Sequence, residues 1–217
     1  MNLMFKKTAL IGAVALLAAG AFLANGQRPK LPGEDWLTLF NGKDLGGWVE
    51  VGKEKWEIVD GSIHGRGISK AYGYLRTEKM YKDFHLSLRF KCEGDGNSGV
   101  FFHTDFKPGT PDVSQGLQFE IDCVMNHHTG GIYGDGRQWI VWPAPENEGV
   151  VRQSDWNDYQ LRVEGNRYVS RLNGVQMVDF TDPTPKSVDG YIALQLHSGG
   201  QGNMLFKDIH IRDLTRR

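Results

Sequence analysis

The sequence has no cluster of positive charge and no cysteine motif for a metal. Its 25 Lys and Arg residues are balanced by 26 Asp and Glu residues, and no block of Lys or Arg is present. A nucleic-acid-binding protein concentrates basic residues on one face, so nothing in the charge pattern indicates a nucleic acid partner. The two cysteines, Cys92 and Cys123, do not form a Cys-x-x-Cys pair, which argues against a zinc site built on cysteine.

Long helical periodicity, internal repeats and linkers are also missing after the first residues of the chain. We find no Gly-rich loop that could cradle a phosphate, no His-Glu-x-x-His motif and no recognisable Ser-His-Asp arrangement. These absences exclude a helical bundle, a repeat protein and the enzyme classes that those motifs define. The remaining length of about 190 residues suits one large domain.

The N-terminal segment resembles a secretory leader in its composition. Lys6 and Lys7 precede an apolar run from Thr8 to Ala24, and small residues follow up to Gly26. This order is typical of a signal peptide, and at about 17 residues the run is short for a membrane span. We therefore expect residues 1–26 to be a signal peptide, residues 27–217 to be the mature domain, and the protein to be periplasmic or secreted with no stable membrane anchor. An uncleaved N-terminal anchor is the alternative.

Export permits a disulfide bond between Cys92 and Cys123. Each cysteine also ends an apolar strand pattern, where a free buried cysteine acts as a small hydrophobic residue. The sequence leaves both states open.

Alternation of apolar and polar residues is the dominant pattern of the mature chain. Phe84, Leu86, Leu88 and Phe90 alternate with polar residues, which is typical of a strand with one buried face. Asp60-Gly61 and Asn173-Gly174 each separate two such runs, and these dipeptides favour two-residue hairpin turns. We expect about a dozen antiparallel strands in an all-β, two-sheet β-sandwich of the jelly-roll kind.

Three strands carry a polar stripe in place of an ordinary outer face. Gln118, Glu120 and Asp122 share one face of a strand because side chains repeat every two residues. Gln195 and His197 share a face of a second strand in the same way. His103 and Phe101 are expected on the corresponding face of a third. If these faces line one concave sheet, they form a candidate site; the alternative is an ordinary solvent-exposed outer sheet.

A series of short motifs connects the chain to a known family. In order along the chain, the motifs are Leu39–Leu45 with Gly47-Trp48, Trp56-x-x-x-Asp60-Gly61, Asp83-Phe84-x-Leu86, Gly96–Phe102, Gly116–Asp122, Thr129–Tyr133, Trp156-Asn157, Leu172–Gly174 and Gly190–His197. This order resembles the 3-keto-disaccharide hydrolase family over about residues 35–213. The resemblance implies a concanavalin-like jelly roll, in agreement with the strand pattern.

The chain departs from the family pattern at two positions of the candidate site. His103 stands where the family often has Arg, and Gln118-x-Glu120-x-Asp122 replaces a Glu-x-Gln-x-x-Asp strand. Both changes concern residues expected near the substrate, so the substrate could differ from that of other members.

The family resemblance implies an enzyme that cleaves glycosides already oxidised to a ketone at C3, and the expected leader makes it an exported one. The ketone acidifies the C2 hydrogen, so a base can remove it, the C1 substituent leaves by β-elimination, and water adds back. The candidate catalytic residues are Glu120, Asp122, His103 and His197, with a carboxylate as base and a histidine assisting the leaving group. Candidate substrate-binding residues are Gln118, Gln195, Tyr133, Arg137, Trp139 and Asn97. The oxygen and imidazole groups permit a divalent metal ion without requiring one.

Two other functions remain open at the sequence level. Glu120-Ile121-Asp122 resembles the start of the signature of laminarinase-like retaining hydrolases, but the second acid would fall at Val124 or Met125 and is missing. A non-catalytic, lectin-like module is the other alternative, because Tyr133, Trp139 and Trp142 could stack on sugar rings.

Overall fold

The computed structural model describes residues 35–94, 96–124 and 128–215, and the expected leader lies outside these residues. Over this part of the chain the fold is almost entirely β-structure, with one short 3₁₀ helix at Pro145–Val150. The strands are β1 (Leu37–Thr38), β2 (Trp48–Val51), β3 (Lys55–Val59), β4 (Ser62–Arg66), β5 (Gly73–Tyr81), β6 (Phe84–Cys92), β7 (Asn97–Phe106), β8 (Val113–Ser114), β9 (Leu117–Asp122), β10 (Ile132–Gly134), β11 (Gln138–Val141), β12 (Asn157–Glu164), β13 (Arg167–Leu172), β14 (Val175–Thr181), β15 (Gly190–Leu196) and β16 (Asn203–Asp213).

The strands form two antiparallel sheets, as the alternation of the sequence predicts. One sheet, called here the cavity sheet, has the order β11-β10-β9-β7-β15-β5-β2, with β8 paired to β7. The second sheet has the order β14-β13-β12-β6-β16-β4-β3, with β1 paired to β16. Strands β9, β10 and β11 are consecutive in the sequence, whereas β7 and β15 join them through long-range pairing, which brings Asn97, Gln195 and His197 to the face of Glu120. The two-sheet β-sandwich prediction is confirmed.

The two predicted hairpin turns are present. Asp60 and Gly61 connect β3 to β4 with φ angles of 47° and 71°, and Asn173 and Gly174 connect β13 to β14 with φ angles of 50° and 86°. Positive φ at both central residues defines the type I′ geometry, whose twist matches that of the flanking strands.

The hydrophobic core fills the space between the two sheets. Strand β6 alternates strictly between buried and half-buried residues, so Phe84, Leu86, Leu88 and Phe90 all face the core. Strand β9 is different, because all six of its residues are buried. Its apolar side chains enter the core, while its polar side chains lie on the outward face of the cavity sheet.

A disulfide bond joins Cys92, at the end of β6, to Cys123, the residue after β9. The bond links the second sheet to the cavity sheet and leaves neither cysteine free. Of the two states that the sequence leaves open, the structure has the bonded one. No helix in the described residues is long and apolar enough to cross a membrane.

Candidate active site

A cavity of about 860 Å³ lies on the outward face of the cavity sheet. Eight of the ten predicted site residues line it, and they come from strands β7, β9, β10, β11 and β15 or directly follow β15. The eight residues are Asn97, Gln118, Glu120, Asp122, Tyr133, Trp139, Gln195 and His197. Gln118, Glu120, Asp122 and Gln195 are all less than 6% exposed, which rules out an ordinary solvent-exposed outer face.

Glu120 is the central acidic group of the cavity. Asn97 donates a hydrogen bond from Nδ2 to Oε1 of Glu120, and Gln118 donates one from Nε2 to Oε2 at 2.9 Å. Burial of the carboxyl group raises the pKa of Glu120 to about 8, and the nearby charge of Asp122 raises it further, while the Asn97 hydrogen bond opposes the shift. A carboxylate with a pKa near the working pH is a stronger base than an ordinary glutamate.

The backbone around Glu120 is fixed from the core side. Tyr159 on β12 is fully buried and donates its hydroxyl to the backbone carbonyl of Glu120 at 3.0 Å. Gly99 lies directly opposite Glu120 on β7, and a Cβ atom there would be 2.4 Å from Oε1 of Gln118. The glycine therefore leaves the space that the Gln118 carboxamide needs to reach Glu120.

His197 directly follows β15 and lines the cavity. Its Nδ1 is 3.0 Å from the backbone carbonyl of Ser198, and a carbonyl can only accept a hydrogen bond. Nδ1 therefore carries the proton in the neutral ring, and Nε2 is the basic nitrogen. The hydroxyl of Tyr72 lies 3.4 Å from this Nε2.

Tyr72 is a site residue that sequence reasoning missed. It lines the cavity from the segment before β5, and its ring meets the edge of His197 at 4.9 Å. No motif or strand pattern marks this position, because the contact depends on how the segment from residue 67 to residue 72 folds over the sheet. Sequence reasoning also missed three charged residues that line the cavity, Lys107, Asp112 and Asp135.

Glu54 holds the segment that carries Tyr72. Its side chain is only 5% exposed, and it accepts hydrogen bonds from the backbone N–H groups of Ile68 and Ser69 and, at 2.6 Å, from the hydroxyl of Ser69. Gly73 makes this possible, because a Cβ atom there would lie 2.2 Å from Cγ of Glu54. A buried carboxyl with three donors orders the segment and so positions Tyr72.

The prediction that His103 shares this cavity is wrong. β15 is paired so that Tyr191 faces Thr104 and Ala193 faces Phe101, which leaves both Phe102 and His103 opposite one residue. This β-bulge, with φ of 48° at His103, reverses the expected alternation. The ring instead packs 6.2 Å from Tyr168 of the second sheet, and Nε2 donates to the carbonyl of Lys82 at 2.8 Å. Burial lowers the pKa of His103, which favours the neutral ring.

Arg137 also lies outside the cavity. Its guanidinium forms a two-pronged ion pair with Asp182, a fully buried residue just after β14. The residue sits in the turn between β10 and β11, where strand alternation does not apply. Its charge braces this turn against the second sheet and does not reach the candidate site.

Within the described residues, no group of three or more His, Cys, Asp or Glu side chains is arranged to hold a metal ion. In the cavity, Glu120 and Asp122 lie on β9, and His197 directly follows β15.

The fold belongs to a class of β-sandwiches that includes carbohydrate-binding proteins. A protein with a galectin-like fold from Bacillus subtilis superimposes with a TM-score of 0.62 at 15% identity, covering 82% of this chain and 94% of that one. The carbohydrate binding module CBM66 from Bacillus subtilis gives a TM-score of 0.58 at 16% identity, covering 76% and 95%. A crystal structure of a protein from Parabacteroides distasonis gives a TM-score of 0.65 at 22% identity, covering 83% and 94%. At these identities the similarity establishes the fold alone.

The sequence identifies the particular family. Residues 35–212 match the 3-keto-alpha-glucoside-1,2-lyase-like domain, so the chain belongs to this family. A 3-keto-disaccharide hydrolase from Bacteroides thetaiotaomicron is 35% identical over 79 residues, which cover 32% of this chain and 27% of that protein. The family resemblance drawn from the motifs is confirmed.

Proposed function

We propose that this protein cleaves 3-keto glycosides by elimination across C1 and C2, followed by hydration. The observation that carries the proposal is the environment of Glu120, whose carboxyl group is buried but faces an open cavity. This burial raises the pKa of Glu120 to about 8. Such a group is suited to removing a weakly acidic carbon-bound proton at neutral to alkaline pH. Family membership and the activity named for the Bacteroides relative support the substrate class.

In the first step Glu120 takes the proton from C2 of the keto sugar. The electron pair of the C–H bond moves into the C2–C3 bond, and negative charge develops on the ketone oxygen at C3. The carboxamides of Asn97 and Gln195 lie in the same cavity and can donate hydrogen bonds to this oxygen.

In the second step the enolate expels the substituent at C1. A C1–C2 double bond forms as the C1–O bond breaks, and the departing oxygen needs a proton. Tyr72, whose hydroxyl lies 3.4 Å from the basic Nε2 of His197, stands at the cavity wall as the proton donor for this oxygen. The distance is long for a hydrogen bond, and such contacts often shorten when substrate binds.

Water then adds to C1 and gives one proton back to Tyr72, and Glu120, whose proton has by then exchanged with solvent, protonates C2. The net reaction consumes one water molecule and releases the 3-keto sugar and the free leaving group. Asp122 remains beside Glu120 throughout, and its charge strengthens Glu120 as a base.

A comparison of oxidised and unoxidised substrates tests the proposal. Purified protein is incubated with a panel of 3-keto glycosides and with their parent glycosides, with and without a chelator. We expect cleavage of the keto sugars only, and in deuterated water we expect deuterium at C2 of the product. Equal cleavage of both sugars without label at C2 would contradict elimination and favour a retaining hydrolase.

A lectin-like module is the second candidate function. The observation that favours it is the fold shared with a carbohydrate binding module and with a galectin-like protein. Saccharide binding without turnover of any 3-keto substrate would support it against the enzyme.

A further inference from the structure

Trp142 is the most exposed aromatic side chain next to the cavity. It is 56% exposed, and it directly follows β11, the strand from which Trp139 lines the cavity. Simple strand alternation would place residues 139 and 142 on opposite faces. The two indole rings are nevertheless only 6.3 Å apart, at an interplanar angle of 83°.

A β-bulge in β11 brings the two tryptophans together. Ile132 pairs with Val141 and Tyr133 pairs with Trp139, so Ile140 is the extra residue on this strand. Ile140 and Val141 consequently both pack against the core. Trp142 then returns to the outward face of the cavity sheet beside Trp139. Bulges near functional sites commonly redirect a side chain in this way.

The Trp142 ring is held in place from one side. His128 stacks on it with ring centroids 4.4 Å apart and an interplanar angle of 15°, and the same imidazole meets the edge of Trp139 at 5.3 Å. Nδ1 of His128 is 2.6 Å from Oε1 of Glu148 in the 3₁₀ helix, which fixes the ring orientation. With one face of the indole covered and the side chain still more than half exposed, the opposite face is open to solvent.

A continuous aromatic wall therefore runs from Tyr133 and Trp139, which line the cavity, to Trp142, which lies outside it. Tyr133 contacts Trp139 edge-on at 5.6 Å, and Trp139 contacts Trp142 in turn. The C–H face of a pyranose ring packs well on an open aromatic face, whereas a small alkyl group has little surface to cover it.

We propose that the open face of Trp142 is a subsite for the leaving group of the substrate, and that it selects leaving groups that contain a second pyranose ring. The proposal rests on the proposed function, because it places the oxidised ring near Glu120 and the leaving group towards the mouth.

The test compares kcat/KM for a 3-keto disaccharide with kcat/KM for the 3-keto methyl glycoside of the same oxidised sugar. In Trp142→Ala we expect the ratio of the two values to fall by about tenfold, in keeping with the loss of one stacked ring. Trp142→Phe keeps an aromatic face and should retain most of the ratio. Val188→Ala truncates another exposed apolar residue, which is 42% exposed and outside the cavity lining, and should not change it.

A binding measurement separates failure of the subsite from failure of the proposed reaction. Saturation-transfer NMR measures binding without turnover, with an unoxidised disaccharide and the unoxidised methyl glycoside of the same sugar as the two ligands. We expect Trp142→Ala to weaken disaccharide binding more than methyl glycoside binding. Equal losses for both ligands, or no loss for either, would overturn the subsite, whether or not the protein turns over a 3-keto sugar.

Discussion

The hydroxyl of Tyr72 lies 3.4 Å from Nε2 of His197. This nitrogen carries no proton in the neutral ring, because Nδ1 donates its proton to the backbone carbonyl of Ser198. The two residues reach the cavity from separate parts of the chain, one before β5 and one after β15. Glu54 holds the Tyr72 side of this contact through Ile68 and Ser69. In the proposed reaction, the Tyr72 hydroxyl supplies the proton to the leaving oxygen.

Tyr72→Phe should lower kcat by about a hundredfold for 3-keto glycosides with alkyl or sugar leaving groups, since general acid catalysis commonly contributes this much. The loss should be much smaller for a nitrophenyl leaving group, which departs without a proton. The measurement is a set of kcat values over leaving groups of different basicity. A uniform loss across the set would show that Tyr72 shapes the cavity without donating a proton.

Glu120→Gln should reduce kcat/KM by at least about a hundredfold, because the amide keeps the shape of the carboxyl group and cannot act as a base.

In the unmodified protein kcat/KM should rise with pH and level off above about 8, where Glu120 is ionised. Asp122→Asn should move this inflection to lower pH, because it removes the neighbouring charge that raises the pKa of Glu120. Asn97→Ala should move it to higher pH. Loss of the inflection in Asp122→Asn would identify Asp122 as the base instead.

The same carboxyl group should make folding stability depend on pH. The pKa of Glu120 is raised on folding, so the folded state binds more protons than the unfolded state between about pH 4.5 and about pH 8. Its contribution to the free energy of unfolding therefore falls as pH rises through this window, by up to about 1.4 kcal/mol per pH unit.

Glu120→Gln removes that titration. Thermal unfolding of the two proteins should show Glu120→Gln gaining stability relative to the unmodified protein as pH rises from 5 to 8. A difference that is constant with pH would mean that the carboxyl group is not buried in the folded protein.

The Cys92–Cys123 disulfide should stabilise the sandwich by about 3–4 kcal/mol, the loop-entropy value for the sequence separation of 31 residues. Urea unfolding with and without a reducing agent measures this contribution. The double variant Cys92→Ala with Cys123→Ala is the control, and its unfolding should not respond to the reducing agent. Two titratable thiols in the untreated protein would show that the bond does not form in solution.

We also propose that the chain is exported and that its leader is removed. Lys6, Lys7 and the apolar run that follows carry the proposal, and a disulfide is in keeping with an oxidising compartment. The intact mass of protein recovered from the periplasm or the medium should correspond to a chain that begins near Phe22 or Gln27. Secreted protein that retains Met1 or Asn2 would contradict cleavage.

Much of the sandwich follows from local sequence. Alternation in residues 84–92 predicts β6 and its buried face, and Asp60-Gly61 and Asn173-Gly174 predict two hairpins that the structure contains. The polar face of β9 is predicted in the same way, because residues two apart in a strand point to the same side whatever the partner strands are. Gln118, Glu120 and Asp122 therefore share a face by virtue of their spacing alone.

Only the tertiary structure decides which side chains join that face. Alternation predicts that His103 faces the cavity, and this expectation fails at a bulge, where one extra residue shifts every later side chain to the other face. A second bulge, in β11, brings Trp142 beside Trp139. A bulge is set by pairing with distant strands, so no local pattern marks it. Tyr72 enters the site through the hydrogen bonds of Glu54, and the pKa of Glu120 is raised because the fold buries most of its carboxyl group. Spacing along one strand determines the face of a residue, whereas neighbours, burial and proton affinity depend on long-range contacts.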